Sequence, residues 1–244
     1  MVLNQLRRKS KITLDKRSKK AVVALKLFVD SANVNEVRDA ASWGVVSGVT
    51  TNPSLALKAG KPYKESVLEI AKLVDGPISV EGVATKANEI VAEAKEIASW
   101  HKNFVVKVAM GEEGIKAVKE LSKANVKTNV TLVFSVNQAL LAAIAGATYV
   151  SPFIGRLDDN GQDGMQLIRD IMEAYRNYGF EKRTSVIVAS VRHPLHVIDA
   201  AKIGAPVCTI PYGVLRQMFK HSLTDSGIKK FAEDHAALEA LHKK

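Results

Sequence analysis

Lys107 stands inside Phe104-Val105-Val106-Lys107-Val108, a run of β-branched and aromatic residues that reads as a strand buried on both faces. Taking an ammonium out of water is costly, so an amine there either finds a partner or goes uncharged. An uncharged amine adds to carbonyl carbons and forms Schiff bases. The plainer reading of a lone lysine in such a run is an edge strand whose ammonium reaches solvent along its own stem. The rest of the chain decides between the two.

Polar or ionisable residues recur where the other short apolar runs end: Asp30, Asn52, Glu81, Asn129, Thr131, Ser151, Arg156, Ser190 and Arg192. Singly, each has an ordinary role; Asp30 could cap a helix, and Asn52 or Ser190 could sit in a turn. Together they describe a reaction. An amine condensing with a ketone needs a proton donor and acceptor to expel the carbinolamine hydroxyl, and a carboxylate working through a water suits. Glu81 and Thr131, one strand to either side of Lys107, are placed for that. The iminium is then an electron sink for breaking a C–C bond, which needs a base on the neighbouring hydroxyl. Asp30 is the candidate. Asn52, Asn129 and Ser151 could hold substrate hydroxyls. Arg156 and Arg192 lie beyond the sixth and seventh strands, near where many barrels bind phosphate, and a guanidinium pairs with phosphate through two parallel hydrogen bonds.

The elements that must position these residues are legible as an alternation of short β-branched runs with helical patterns, the mark of βαβ units. Strands are expected at 27–29, 48–50, 77–80, 104–108, 126–131, 148–151, 185–189 and 207–210. Helices are expected from Asn33 as N-cap to about 43, at 62–74, 86–100, 112–124, 135–145 and 164–178, from Pro194 to a stop at Gly204, and near 212–220 and 226–242. Eight strands, each followed by a helix and joined by right-handed crossovers, give an α/β fold: a single-domain (β/α)8 TIM barrel over 26–222, with an extra C-terminal helix over 223–244. A doubly wound open sheet is the alternative, but eight regular units with no break favour the barrel.

At 244 residues, 47% apolar and 25% charged, the chain has the make-up of a globular protein with a substantial core. The net charge of +10 is concentrated: residues 1–25 hold eight Lys/Arg against Asp15, which leaves only +3 for the body. That basic tail is expected to be disordered, with a targeting peptide, an arm for anionic partners or an over-extended reading frame as its readings. The single cysteine, Cys208, excludes a disulfide framework and fits a reducing interior. No apolar stretch approaches the roughly 20 residues of a membrane span. No Walker A pattern or nucleophile elbow is present, and 158–164 departs from a calcium loop at Gln162 and Asp163. His193 and His196 share a helix face without an evident third metal ligand, so they are expected at the surface or as caps.

The motifs Leu27-Phe28-Val29-Asp30-Ser31-Ala32-Asn33, Gly48-Val49-Thr50-Thr51-Asn52-Pro53, Val105-Val106-Lys107-Val108, Thr128-Asn129-Val130-Thr131-Leu132-Val133-Phe134, Val150-Ser151-Pro152-Phe153-Ile154-Gly155-Arg156-Leu157-Asp158 and Ala189-Ser190-Val191-Arg192 stand in an order and spacing that resemble the short transaldolases, a family that includes the fructose-6-phosphate aldolases. The resemblance runs from about Lys26 to Phe231. It implies Lys107 as the Schiff-base lysine, Asp30 as the base that opens the C3–C4 bond, and Glu81 with Thr131 around a catalytic water. Asn52, Asn129 and Ser151 would bind donor hydroxyls, and Arg156, Ser190 and Arg192 the phosphate. The implied reaction carries a dihydroxyacetone unit from sedoheptulose 7-phosphate to glyceraldehyde 3-phosphate, with no metal or organic cofactor.

The aldolases of the family usually carry glutamine where Glu81 stands and tyrosine where Phe153 stands, so both positions imply a transferase. The departures are Ala109 and Gly111, where proline and threonine are common, and Gly82, where a bulkier residue is common; these are expected to loosen the wall near Lys107. His235 replaces a frequent tryptophan in a last helix that commonly packs on a neighbouring subunit. The resemblance thus implies sugar phosphate partners, a cytoplasmic setting and a homo-oligomer of five or ten subunits. No membrane partner is expected, and an inactive barrel with a nucleic-acid-binding basic tail is the remote alternative.

Overall fold

Eight parallel strands follow one another in chain order around a closed barrel. They are β1 (Lys26–Asp30), β2 (Val46–Thr50), β3 (Ile78–Glu81), β4 (Phe104–Ala109), β5 (Thr128–Val133), β6 (Tyr149–Pro152), β7 (Ser185–Val188) and β8 (Val207–Pro211). The helices between and after them are α1 (Val34–Ser42), α2 (Pro53–Ala59), α3 (Tyr63–Ile70), α4 (Ala87–Trp100), α5 (Glu112–Lys123), α6 (Val136–Ala145), α7 (Ile154–Asp158), α8 (Gly164–Tyr178), α9 (Pro194–Ile203), α10 (Tyr212–Gln217) and α11 (Ser222–His242). This is a computed structural model, and it describes residues 24–242. All but the last two residues of the basic tail lie outside that range. Among the described residues no helix is long and apolar enough to cross a membrane.

Strand alternation sorts the side chains into two layers. Val29, Val49, Val80, Val106, Val108, Val130 and Val150 pack outward in the apolar layer beneath the helices. The inward set begins with Phe28, Ile187, Val207 and Tyr149, which close one end of the lumen. Two residues further along β1, β6 and β8 stand Asp30, Ser151 and Thr209, so the lumen turns polar toward the C-terminal ends of its strands, where barrel enzymes carry their chemistry. Gly48 belongs to this arrangement. A Cβ there would lie 2.6 Å from the Phe28 ring. The ring is sealed inside the lumen and has nowhere to move. Gly48→Ala is therefore expected to lower stability by about 1–3 kcal/mol in urea unfolding, the usual effect of an added methyl in a filled core.

Several boundaries differ from the sequence expectation, each for a local reason. β5 starts at Thr128 rather than 126, because Asn125 turns the chain with φ +58°. It then runs past Thr131 to Val133 through a bulge at Leu132 (φ +58°), where the register with β6 shifts. Pro53 starts α2 instead of a bare turn: Asn52 caps it by accepting from the Leu55 amide at 2.9 Å, proline occupies the first turn, and Gly60 closes it in the left-handed conformation. The run after Pro152 forms the short α7, and α3 stops at Ile70 instead of 74. Trp43 packs on Tyr212 and Phe219, and Cys208 is buried in β8, where burial pushes its thiol up to about 12. None of α11 is buried.

Candidate active site

Lys107 projects from β4 into the polar end of the lumen and is 6% exposed. Its Nζ is not alone there. It donates to Glu81 Oε2 at 2.8 Å and to the Thr51 carbonyl at 3.0 Å. Glu81 and Lys107 are partners in the β3–β4 register, so backbone pairing brings the carboxylate to the amine. Of the two outcomes open to a buried amine, the structure supplies the partner: a carboxylate at contact offsets the desolvation of the amine and gives it a place to send a proton. The edge-strand reading fails, since β4 lies between β3 and β5 in a closed sheet.

Asp30, at the end of β1, faces the same space. Burial pushes its carboxyl above the usual range; the hydrogen bond from Thr50 and the Lys107 charge pull it down, and the Glu81 charge pushes it up. Thr50 Oγ1 donates to Asp30 Oδ1 at 2.7 Å and lies 2.5 Å from Thr209 Oγ1. With the Thr50 proton spent on Asp30, Thr209 donates to Thr50, and three strands hold the acid in place.

On β5, Asn129 is fully buried; its amide donates to Ser79 Oγ at 3.1 Å and its carbonyl accepts from Ser151 Oγ at 2.8 Å. Thr131 is equally buried, and its Oγ1 has no hydrogen-bond partner. Buried hydroxyls are seldom left so, and this one has capacity for a water or a ligand.

The arginines lie on the rim. Arg156 stacks on the Phe153 ring at 5.0 Å, and Arg192 Nη2 pairs with Asp159 Oδ2 at 2.5 Å. Ser190 has φ +62°, a left-handed conformation that serine seldom adopts. Its carbonyl accepts from Gly155 N at 3.1 Å, and a Cβ on Gly155 would lie 2.1 Å from that oxygen and 2.8 Å from Arg192 Cγ. Glycine is needed for the loops after β6 and β7 to meet.

His193 is exposed at the N-cap of α9, as expected, but His196 is not at the surface. It is buried, with Nδ1 accepting from the Arg192 amide at 3.3 Å and Nε2 lying 3.2 Å from Asp158 Oδ2, an oxygen with no well-aligned hydrogen bond. Burial and the adjacent His193 ring push its pKa down, which suits a neutral ring accepting from a backbone amide. At Gly82 the Glu93 carboxylate takes the space beside the backbone and accepts from the Val83 and Ala84 amides at 3.0 Å. Gly82, Ala109 and Gly111 nonetheless line, together with Lys107, a cavity of about 290 Å³ between α4 and α5, in keeping with a loosened wall there.

Thr50 and Thr209 escaped the sequence reading although each is a hydroxyl inside a strand, the same signal that picked out Lys107. Tyr63, whose hydroxyl accepts from the Glu81 amide at 2.9 Å, carries no such signal, because it sits on a helix.

A closed parallel barrel with an amine buried among acids and amides at its C-terminal rim is an arrangement that suits an enzyme of the aldolase and transaldolase type. Relatives narrow the class. Residues 27–242 match the family described as "Transaldolase/Fructose-6-phosphate aldolase". The chain is 57% identical over 210 residues to a "Probable transaldolase" of Caldicellulosiruptor saccharolyticus, covering 86% of this chain and 96% of that protein. It is also 57% identical over 216 residues to one of Brachyspira hyodysenteriae, covering 88% and 99%. A solved thiamine phosphate pyrophosphorylase from Pyrococcus furiosus shares the fold alone, with TM-score 0.51 and 19% identity over 76% of this chain and 85% of that one. The chain belongs to the transaldolase/fructose-6-phosphate aldolase family.

Proposed function

We propose that this enzyme transfers a dihydroxyacetone unit between sugar phosphates through a Schiff base on Lys107, from sedoheptulose 7-phosphate to glyceraldehyde 3-phosphate, giving erythrose 4-phosphate and fructose 6-phosphate. The observation that carries the reading is the Lys107 nitrogen held dry at 2.8 Å from Glu81, with the unpartnered Thr131 hydroxyl nearby on the adjoining strand. Lys107 loses a proton toward Glu81, and its lone pair adds to the C2 carbonyl. The carbinolamine hydroxyl leaves as water, protonated through a water held by Glu81 and Thr131. Asp30 takes the C4 hydroxyl proton. The C3–C4 electrons flow into the iminium, an enamine remains on Lys107, and the aldose departs. A second aldose enters and the steps reverse.

Asn52 fits a donor-hydroxyl role with its amide N–H groups, since its oxygen caps α2. Asn129 and Ser151 lie deeper in the same lumen, while Arg156, Ser190 and Arg192 hold the phosphate. Phe153 offers a ring face and no proton, so the enamine waits for an aldose instead of being quenched; a fructose-6-phosphate aldolase is the reading this disfavours. The reaction as written calls on no metal or organic cofactor. A cytoplasmic enzyme agrees with the lone buried thiol of Cys208. A homo-oligomer agrees with α11, where Leu223, Ile228, Phe231, Leu238 and Leu241 are exposed.

Borohydride reduction with fructose 6-phosphate is expected to leave a dihydroxyacetone-derived mass on Lys107. An unmodified lysine rejects the mechanism. Release of free glyceraldehyde 3-phosphate in multiple turnovers without an acceptor favours the aldolase. Arg192→Ala is expected to raise KM for phosphorylated sugars about tenfold or more while changing kcat little, in keeping with a lost charge-assisted pair. A mutant KM equal to wild type takes Arg192 out of the phosphate site.

A further inference from the structure

Two strand ends hold the reacting nitrogen: Thr51 past the end of β2 through its carbonyl, and Glu81 at the end of β3 through its carboxylate. Their spacing decides where the nitrogen sits. The sheet itself supports that spacing poorly, because the β2–β3 register ends at Thr50 with Ser79, followed only by Thr51 N donating to Ser79 O at 3.0 Å. The Glu81 amide points into the space beyond.

Tyr63, the first residue of α3, fills it. Its Oη accepts from the Glu81 amide at 2.9 Å and lies 2.6 Å from Thr51 Oγ1. The direction of the second bond follows from counting protons. Thr51 Oγ1 donates its one proton to the Ser79 carbonyl at 2.7 Å, so the phenol must donate to Thr51. A single directed chain results, from Glu81 N–H to the Tyr63 hydroxyl, to the Thr51 hydroxyl, to the Ser79 carbonyl. Burial pushes the phenol up to about 12, which keeps the donated proton in place.

We propose that Tyr63 is a positioning residue: one phenol on α3 sets the distance between the two groups that hold Lys107 and thereby the approach of Glu81 to the reacting nitrogen. The inference rests on the Schiff-base reading above. Tyr63 reaches the reaction through Glu81 and Thr51. Of the groups assigned to hydroxyl and phosphate binding, Asn52 adjoins Thr51 but is fixed by its own side chain as the cap of α2, and the others stand on β5, β6 and the loops after β6 and β7. Loosening the chain therefore slows proton transfer at Lys107 and leaves sugar binding in place.

Tyr63→Phe keeps the ring and removes the hydroxyl. Rapid mixing with saturating fructose 6-phosphate and borohydride quenching reads the rate at which Lys107 acquires its adduct. That rate and kcat are expected to fall about tenfold, the scale of a small misplacement at a reacting centre, with KM held within about twofold. Thr51→Val removes the phenol's acceptor but keeps the carbonyl that binds Lys107. It should slow the adduct in the same direction, and the double variant should be no slower than the worse single one. A Tyr63→Phe enzyme that loses thermal stability yet forms the adduct at the wild-type rate overturns the positioning role, as does a rise in KM with the adduct rate unchanged. Wild-type protein whose Lys107 stays unmodified overturns the Schiff-base reading first and this role with it.

Discussion

Lys107→Ala is expected to abolish turnover, with kcat/KM falling on the order of 10⁴-fold or more, and to leave no adduct after borohydride treatment with fructose 6-phosphate. The magnitude follows from the kind of loss. Other variants in the lumen weaken a step, whereas this one removes the atom that forms the covalent bond. Alanine also strands Glu81, whose carboxylate is 18% exposed and held at 2.8 Å by the lysine. A partly buried carboxylate without its partner destabilises the fold, so part of any activity loss could be mistaken for unfolding. Lys107→Ala combined with Glu81→Gln separates the two effects. Thermal unfolding should recover toward wild type in the double variant while activity stays absent. Substantial residual turnover by either variant, measured by coupled assay of erythrose 4-phosphate, removes Lys107 from the mechanism.

The second large effect belongs to Asp30. Asp30→Asn keeps the shape and the contact with Thr50 but cannot accept the C4 hydroxyl proton, so turnover should fall about 10²- to 10⁴-fold. Schiff-base formation does not need that base. Borohydride should therefore capture the whole six-carbon sugar phosphate on Lys107 in place of the three-carbon fragment, and the mass difference is a direct readout of where the reaction stops. A three-carbon adduct in Asp30→Asn at the wild-type rate refutes the assignment.

The same substitution should raise stability at neutral pH. Burial holds the Asp30 pKa above its ordinary value in the folded protein. Between the unfolded and folded pKa values the native state binds more protons, so Asp30 lowers stability as pH rises through that window, with the full loss present above the folded pKa. Asparagine has no such penalty. Its melting temperature should exceed wild type at pH 7, and the gap should close on acidification below about pH 4, the ordinary pKa of aspartate. A gap that stays constant with pH would mean that the carboxyl is not desolvated in the folded state. Activity and stability therefore pull in opposite directions at this position, as expected of a strained functional group.

How far these residues could be read from the chain varied with the kind of signal. The order of eight strands was legible because fully buried parallel strands are short β-branched runs and the intervening helices carry their own period and caps. Lys107, Asn129 and Ser151 were legible because a polar residue breaking such a run is conspicuous. β5 ran past its expected end because the Leu132 bulge is a tertiary fit that no local propensity encodes. Asn52 could be read as a turn residue or a ligand; the structure shows it capping α2 with its oxygen, which leaves the amide N–H groups for other work.

The sequence by itself determined the barrel, the strand carrying the amine and the polar residues at the C-terminal rim, since local periodicity and burial chemistry are written residue by residue. Only the tertiary structure decided who touches the amine. Strand register set Glu81 beside Lys107, barrel closure set Thr209 behind Thr50 and Asp30, and a helix residue 12 and 18 positions along the chain from its two partners supplied the Tyr63 phenol. The physical reason is that a hydrogen-bond partner is chosen by distance across the fold, and residues 56 or 159 positions apart along the chain meet only when the sheet has closed.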